Sequence, residues 1–488
     1  MRLISYFVEL FFLVGLVCGF LTLRGSSRNF ARPHNVKFET ARLLGREEDP
    51  LGNITMMRKI NNVKIEPTEM TTTSVVENKA KLEVVATPIN EICKRDNHII
   101  QRSEDLHQLQ LHCPEVIGNV IIVPDYPDAL GDLGSIIKIN GNLVIHNTSA
   151  ISKVKAENLK YITGAFIMGT LTSLVTLDVP NLVSVNAIEW NVLPILNFAE
   201  LNPRIVVTSH IIISDTSLSY IDAFQNIKEL EILSINNNRF LETIKTNIVK
   251  VHQLLTIHAN ARDVQLEMPQ LMEAENLTIR DTSYIHLPKL EVVYSSFEVI
   301  ENLVTELNVP NLRFVGGTLG IIENINLAKA DFNNVTEIQG GLMIANNNKL
   351  DRIDFFQNLK QIGGAIHFEG TFQDTVFDNL KLVKGSAFIS SKSNNLDCNK
   401  WTSPPNGRSI IRGGKVKCSS PRKQKFLNVD KDGKVLESLE SNIPLAPSKD
   451  GKNQEPLQNG ERDSNSSSAT TQNMTLLFLF LFGLVMIF

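Results

Sequence analysis

The chain has 488 residues, with 48 basic against 52 acidic side chains, a formal net charge of −4, and a 43% hydrophobic content. That length admits roughly two to four domains or one long repeat array. The near-balance of charge argues against a nucleic-acid-binding protein, which would carry a basic surplus on one face, and the apolar share excludes a chain that is disordered throughout. With 24 Phe, 6 Tyr and 2 Trp, the apolar residues are mostly Ile, Leu and Val, a bias that suits stacked β-structure better than an aromatic-lined pocket.

The first segment, from Met1-Arg2 to Leu23 and broken only by Glu9, has the charged start and apolar run of a secretory signal. The small residues of Val17-Cys18-Gly19 place cleavage after Gly19, giving a signal peptide over 1–19. The alternative is an uncleaved anchor, because Leu3 to Leu23 could just span a bilayer. Residues 20–90, with Arg28, Arg32, Arg42, Arg46 and the run Thr71-Thr72-Thr73-Ser74, are expected to be a flexible leader or a processed pro-segment. Glycosylation sequons stand at Asn53, Asn147, Asn276 and Asn334, with two more, Asn465 and Asn473, near the C-terminal end.

Of five cysteines, Cys18 leaves with the signal, and Cys93, Cys113, Cys398 and Cys418 remain. Four cysteines allow three connectivities. Both the first and the last pair are separated by 20 residues, so local bridges Cys93–Cys113 and Cys398–Cys418 are expected, each stabilising by about 3 kcal/mol in the loop-entropy picture. Zinc is the rival reading, but no Cys-x-x-Cys is present and secretion favours disulfides.

Between the cysteine pairs the chain repeats. Val116-Ile117-Gly118-Asn119-Val120-Ile121-Ile122 matches Ile139-Asn140-Gly141-Asn142-Leu143-Val144-Ile145 and, far downstream, Val315-Gly316-Gly317-Thr318-Leu319-Gly320-Ile321. Alternate positions after each glycine are apolar, the period of a strand with one buried face. Five residues before these glycines stand anchors at Cys113, Ile136, Leu159, Leu312, Val335, Leu359 and Leu380, and degenerate copies at Leu182, Ile205, Ile227, Ile248, Leu271 and Leu290 fill the gap. The period is about 22 residues over about 13 coils, which is a solenoid. Such a coil holds two or three short strands but no helical hairpin, and stacking at about 4.8 Å gives a rod of roughly 60 Å. The repeat glycines are expected to adopt positive φ at sharp turns. The corners Asn236-Asn237-Asn238 and Asn346-Asn347-Asn348 are expected to be left-handed, and Pro180, Pro269, Pro288 and Pro310, one or two residues before an anchor, to keep helix out of the turn. Open solenoid ends need protection, and the two cysteine loops lie where caps belong. An α/β leucine-rich repeat is the rival, but its L-x-x-L-x-L-x-x-N frame is absent.

The sequence holds few catalytic candidates. Asp331 and Asp354 occupy equivalent positions of adjacent coils, with Asp351, Glu323 and Glu337 nearby, and a glycosidase needs two carboxylates about 5–9.5 Å apart. Solvated surface charge explains the same acids. His107 and His112 lie near Cys113 but form no zinc motif, and no Gly-x-Ser-x-Gly elbow or P-loop occurs. Trp190 and Trp401 are too few for an aromatic sugar platform and are expected to pack at a coil corner and beneath the terminal cap. No catalytic, cofactor or metal residues are assigned.

Past the second cysteine loop, residues 421–465 mix basic and acidic side chains and are expected to be a linker. The chain then ends on 13 apolar residues, Leu476 to Phe488, too short for a transmembrane helix. After the polar spacer Ser468 to Thr475 this tail fits a glycosylphosphatidylinositol (GPI) signal, with attachment at Asn465, or alternatively Ser464 or Ser466, and removal of 466–488.

The repeat Leu-x-x-[Ile/Val]-x-Gly-x-apolar-x-apolar resembles the receptor L-domain, an all-β, right-handed β-solenoid. The opening Cys113 to Ile122 coil and the closing segments Asn395 to Cys398 and Ile411 to Cys418 are similar to the fungal GPI-anchored cell-wall organisation proteins over about residues 90–420. The absence of a long Ser/Thr-rich stalk is closer to their sporulation-specific branch than to the vegetative one. The resemblance implies a non-enzymatic surface glycoprotein needed for cell-wall organisation, in particular ascospore wall assembly during sporulation. Its partners would be wall glucan or mannoproteins and, through the lipid, the membrane, with no nucleic acid or small-molecule cofactor. The alternatives are a ligand-binding receptor-type ectodomain and a glucan-remodelling glycosidase.

Overall fold

A computed structural model describes residues 90–221 and 223–442. The signal peptide expected at 1–19, the leader up to residue 89, Asn53, the linker beyond residue 442 and the anchor signal with Asn465, Ser464 and Ser466 lie outside the described residues.

Eleven of the thirteen anchors close a β-turn; Cys113 instead bonds back four residues, to the Leu109 carbonyl (2.7 Å). The N–H of Leu182 donates to the Val179 carbonyl (3.3 Å), Leu271 to Met268 (3.2 Å), Leu290 to Leu287 (3.3 Å) and Leu312 to Val309 (3.2 Å). Pro180, Pro269, Pro288 and Pro310 each take the second position of these turns, where a φ near −65° is required and the missing N–H is not needed. The anchor side chains point inward, and none is more than 6% exposed.

From the turn the chain enters a strand of the main sheet, which has 23 strands. The coils stack in parallel and in register, so one inward position continues through the molecule as Val120, Leu143, Phe166, Ile188, Ile211, Leu233, Leu255, Leu277, Phe297, Leu319, Leu342, Ile366, Ala387 and Val416. All are buried. Each large apolar member stabilises by about 1.5–3 kcal/mol, and a slip of one residue would turn the whole row to solvent. Shorter sheets of four, three, two and two strands form further along each coil. The result is a right-handed solenoid of about 14 turns, one more than the anchors imply. The strand Lys94–Ile100, inside the expected cap, already pairs in parallel with Glu115–Ile122.

The repeat glycines serve a different purpose from the one expected. Of the seven, Gly118 alone has positive φ (106°). The others are needed because stacked backbones touch: a Cβ on Gly141 would lie 2.4 Å from the Gly118 carbonyl oxygen, and one on Gly340 would lie 2.4 Å from the Gly317 carbonyl carbon.

The left-handed corners lie at the end of the main-sheet strand and recur once per coil, at Asn147, Thr170, Val192, Asp215, Asn237, Ala259, Asp281, Glu301, Glu323 and Asn346, all with φ between 53° and 58°. In the two Asn-rich corners the left-handed residues are therefore Asn237 and Asn346, while Asn238 and Asn347 are buried. Asn and Asp tolerate this conformation, whereas a β-branched residue is strained there. Val192 is 40% exposed and gives up little burial when replaced. Val192→Asn is expected to stabilise the protein by about 1 kcal/mol, read as a rise in the denaturant midpoint.

Both ends are closed as expected, by Cys93–Cys113 and Cys398–Cys418. At the first end, helix Ser103–His112 packs Leu106 and Leu109 over the opening coil. At the second, Trp401, in the short helix Asn399–Thr402, lies against Phe368 and Phe377, and its Nε1 donates to Thr375 Oγ1 (2.8 Å). Trp190, by contrast, is fully buried within strand Ser184–Leu193 and not at a corner, edge-on to Phe166.

The first part of the expected linker at 421–465 is structured. Strands Lys423–Val429 and Val435–Asn442 form an antiparallel hairpin on the last coil strand, Lys415–Ser419. Leu427 and Val429 are buried in alternation along the first strand, and the turn ends in Gly433 at φ 82°. The charged hairpin protects the edge of the sheet at this end.

Candidate functional site

The outer surface of the main sheet is the longest regular surface, and its side chains pair between coils. Glu115 accepts from Lys138 Nζ (3.0 Å) and Asn140 Nδ2 (2.6 Å). Glu189 meets His210 (3.0 Å), Glu229 meets His252 (2.9 Å), and Arg313 pairs with Glu291. Glu273 takes both Lys250 Nζ (2.7 Å) and the Tyr294 hydroxyl (2.9 Å). Lys138 and Asn140 hold the Glu115 carboxyl below the usual carboxylate range, and Lys250 and Tyr294 do the same for Glu273. Exposed pairs of this kind contribute only about 0–1 kcal/mol each. Their larger consequence is chemical: at the Lys–Glu and Arg–Glu pairs charge is cancelled locally, and the face offers a row of hydrogen-bonding groups.

Near the closing cap this surface becomes aromatic. His367 stacks on Phe388 at 4.8 Å, and Lys417 lies over both Phe388 and Phe426 at 5.3 and 5.7 Å. At the cap itself Asp374 is partly desolvated, which would raise its pKa. Lys400, the Thr375 N–H and Arg352 outweigh that and hold the carboxyl below its ordinary value.

Asp331 and Asp354 stand at equivalent positions of adjacent coils, as expected, since the Phe332 N–H that follows donates to the Phe355 carbonyl (3.1 Å). Each is engaged locally: Asp331 ends the strand Lys329–Asp331 and accepts the Asn333 N–H (3.1 Å), while Asp354 accepts from Arg352 Nε (3.0 Å). Glu323 sits at a left-handed corner and Glu337 in the main sheet, away from that pair, and Asp351 is exposed. His107 and His112 flank no ligand set, since Cys113 is in a disulfide, and no metal-binding cluster occurs among the described residues.

Three sequons are described. Asn147 is exposed at a left-handed corner. Asn334 is exposed, with its Nδ2 donating to the Pro310 carbonyl (2.6 Å). Asn276 is half-buried in the strand Glu273–Arg280, with Nδ2 3.4 Å from the Gln253 carbonyl.

Sequence reasoning missed a buried polar ladder. Thr216, Asn238 and Asn260 form one run and Thr282, Asn302, Asn324 and Asn347 another, each member bonding the next coil. Its signal was present as Asn or Thr recurring at the coil period, three residues after the last inward apolar strand position.

The receptor L domain model matches residues 315–393. Sporulation-specific protein 22 of Saccharomyces cerevisiae is 47% identical over 410 residues, 83% of each chain. Sporulation-specific protein 2 of the same yeast is 46% identical over 382 residues, 78% of this chain and 76% of the relative. The cell surface GPI-anchored protein ECM33 of Candida albicans is 29% identical over 291 residues, 59% of this chain and 70% of the relative. No solved structure matches. With a receptor L domain stacked into a disulfide-capped solenoid and near-half identity across most of its length, the chain belongs to the family of the sporulation-specific proteins 22 and 2.

Proposed function

We propose that this protein is a non-enzymatic, GPI-anchored surface glycoprotein that organises the fungal cell wall, and that it acts in assembly of the spore wall during sporulation. The observation that carries this reading is the 47% identity, over 83% of both chains, to a protein named sporulation-specific. A more distant relative named as GPI-anchored at the cell surface supports the location. The signal peptide at 1–19 directs export, and attachment through Asn465, with Ser464 and Ser466 as alternatives, holds the solenoid outside the membrane. The physical role is presentation: a rigid stack carries one face of paired charges past the membrane, where uncharged wall glucan or mannoproteins dock on hydrogen-bonding side chains. Asn147, exposed at a left-handed corner, carries a glycan there, and Asn276 and Asn334 are further candidates.

Deleting the gene in the source fungus tests this reading. Spores lacking the protein are expected to have thin or permeable walls, with sensitivity to wall-digesting enzymes and solvents raised several-fold, while vegetative walls change little. Deletion spores with normal wall layers and normal resistance would sink it.

A further inference from the structure

The caps close the core of the solenoid, yet the main sheet keeps a free edge at each end. At the opening end, strand Lys94–Ile100 pairs with Glu115–Ile122 and with no other strand among the described residues, and five of its seven residues are exposed. At the closing end the hairpin covers the last coil strand, but its own outer strand, Val435–Asn442, pairs with Lys423–Val429 alone. Leu436 to Ser441 are exposed without interruption, so neither face of that strand is covered. Unpaired edges of this kind are templates for another strand.

Three features fit the two edges to each other. Their direction matches: the hairpin reverses the chain twice, so Val435–Asn442 runs parallel to the coil strands, as does Lys94–Ile100. Their register matches as well. One outward row crosses the whole main sheet, from Ile99 and Ile121 through His367 and Phe388 to Phe426 and Leu439. It begins and ends on an aliphatic side chain open to solvent, Ile99 at 48% and Leu439 at 58%. Their surroundings are opposite in charge. Residues 90–132 carry eight acidic against three basic side chains, and residues 395–442 ten basic against five acidic. Like ends therefore repel and unlike ends attract.

We infer that the two edges form an end-to-end self-association site, in which Val435–Asn442 of one copy takes Lys94–Ile100 of a second copy in parallel and continues the main sheet from molecule to molecule. Main-chain hydrogen bonds join the strands, as when a peptide strand adds to a sheet edge. The shared row fixes the register, setting Leu439 against Ile99 and Glu437 beside Asn97, two residues from Arg95. A second copy of the chain is the partner that supplies matched direction, row and charge together. Because the two surfaces differ, the contact is heterologous, and it propagates as an open series and does not stop at a pair.

Cysteine cross-linking of the full chain, purified in detergent, tests the contact. Neighbouring residues of a parallel sheet stand about 4.8 Å apart, within the Cα separation that a disulfide spans. Leu439→Cys and Ile99→Cys each change an exposed side chain and leave both native disulfides in place. An equimolar mixture of the two variants, mildly oxidised, is expected to yield at least tenfold more covalent dimer than either variant alone, and less as salt is raised. In sedimentation velocity the unmodified chain should show a concentration-dependent series that extends past the dimer. Linking of Leu439→Cys to itself would mean two-fold pairing of closing ends and would overturn the head-to-tail contact. Equal linking of Leu439→Cys to Leu130→Cys, an exposed position of the four-stranded sheet at the opening end, would mean random collision and overturn it too. So would a mixture that yields no more dimer than its components, or a chain that stays monomeric at every concentration.

Discussion

Gly340→Val is expected to be among the most damaging single substitutions in the solenoid, destabilising it by about 3 kcal/mol or more. Gly340 lies in a column with Gly317, Gly364 and Gly385, in which the backbone of each coil bonds the one before: Gly340 N–H to the Gly317 carbonyl (3.0 Å), Gly364 to Gly340 (2.8 Å) and Gly385 to Gly364 (3.0 Å). A Cβ on Gly340 would sit 2.4 Å from the Gly317 carbonyl carbon, 2.5 Å from its oxygen and 2.7 Å from the Thr318 nitrogen. All three are backbone atoms, so no side chain can rotate away. The coils must separate and surrender the bonds that join them. Gly320 is the internal control. A Cβ there would meet Ile322 Cδ1 at 3.4 Å and Glu298 Cγ at 3.6 Å, ordinary contacts. Gly320→Ala should therefore change stability by less than about 0.5 kcal/mol. Equal denaturant midpoints for the two variants would show that close approach is not what the glycine column provides.

That contrast also marks how far the fold was legible in the amino-acid sequence. The coil period and the buried anchors were readable because every coil must place an apolar side chain after the same turn, and Leu182, Leu271 and Leu312 do so. The disulfide pairing was readable from spacing. Glycine was harder: it supplies both left-handed backbone and room for a neighbour, and residue type does not say which is used. Gly118 uses both, since a Cβ there would also meet the Arg95 carbonyl oxygen, and Gly340 uses the second alone. The hairpin at 423–442 was hidden because its charges drew more notice than its alternation.

Asn324→Ala is expected to cost about 3–5 kcal/mol, a loss out of proportion to the few atoms removed. Asn324 is fully buried. Its Oδ1 accepts the Asn302 backbone N–H and Asn302 Nδ2, both at 3.0 Å, and its Nδ2 donates to the Val299 carbonyl (2.9 Å) and Asn347 Oδ1 (3.1 Å). Truncation leaves the Asn302 N–H without a partner in a space closed to water, an orphan costing about 1–3 kcal/mol, and also removes the side-chain bonds to the Val299 carbonyl and Asn347 Oδ1 and leaves a cavity. Hydrogen exchange should locate the damage, with protection lost first at the amides of coils 299–324 and the far coils little affected, since each coil contacts only its neighbours. Asn324→Asp separates hydrogen bonding from shape. Burial raises the carboxyl pKa in the folded state above its unfolded value. The variant's stability relative to the parent is therefore retained below the unfolded pKa, near 4, and lost as pH rises through the folded one. Measured against the parent at each pH, Asn324→Asp should be closer to it at pH 4 than at pH 7, where the uncharged amide alone can both donate and accept. A deficit equal at the two pH values would mean that burial does not raise the carboxyl pKa, so that water reaches this corner and the ladder is not sealed.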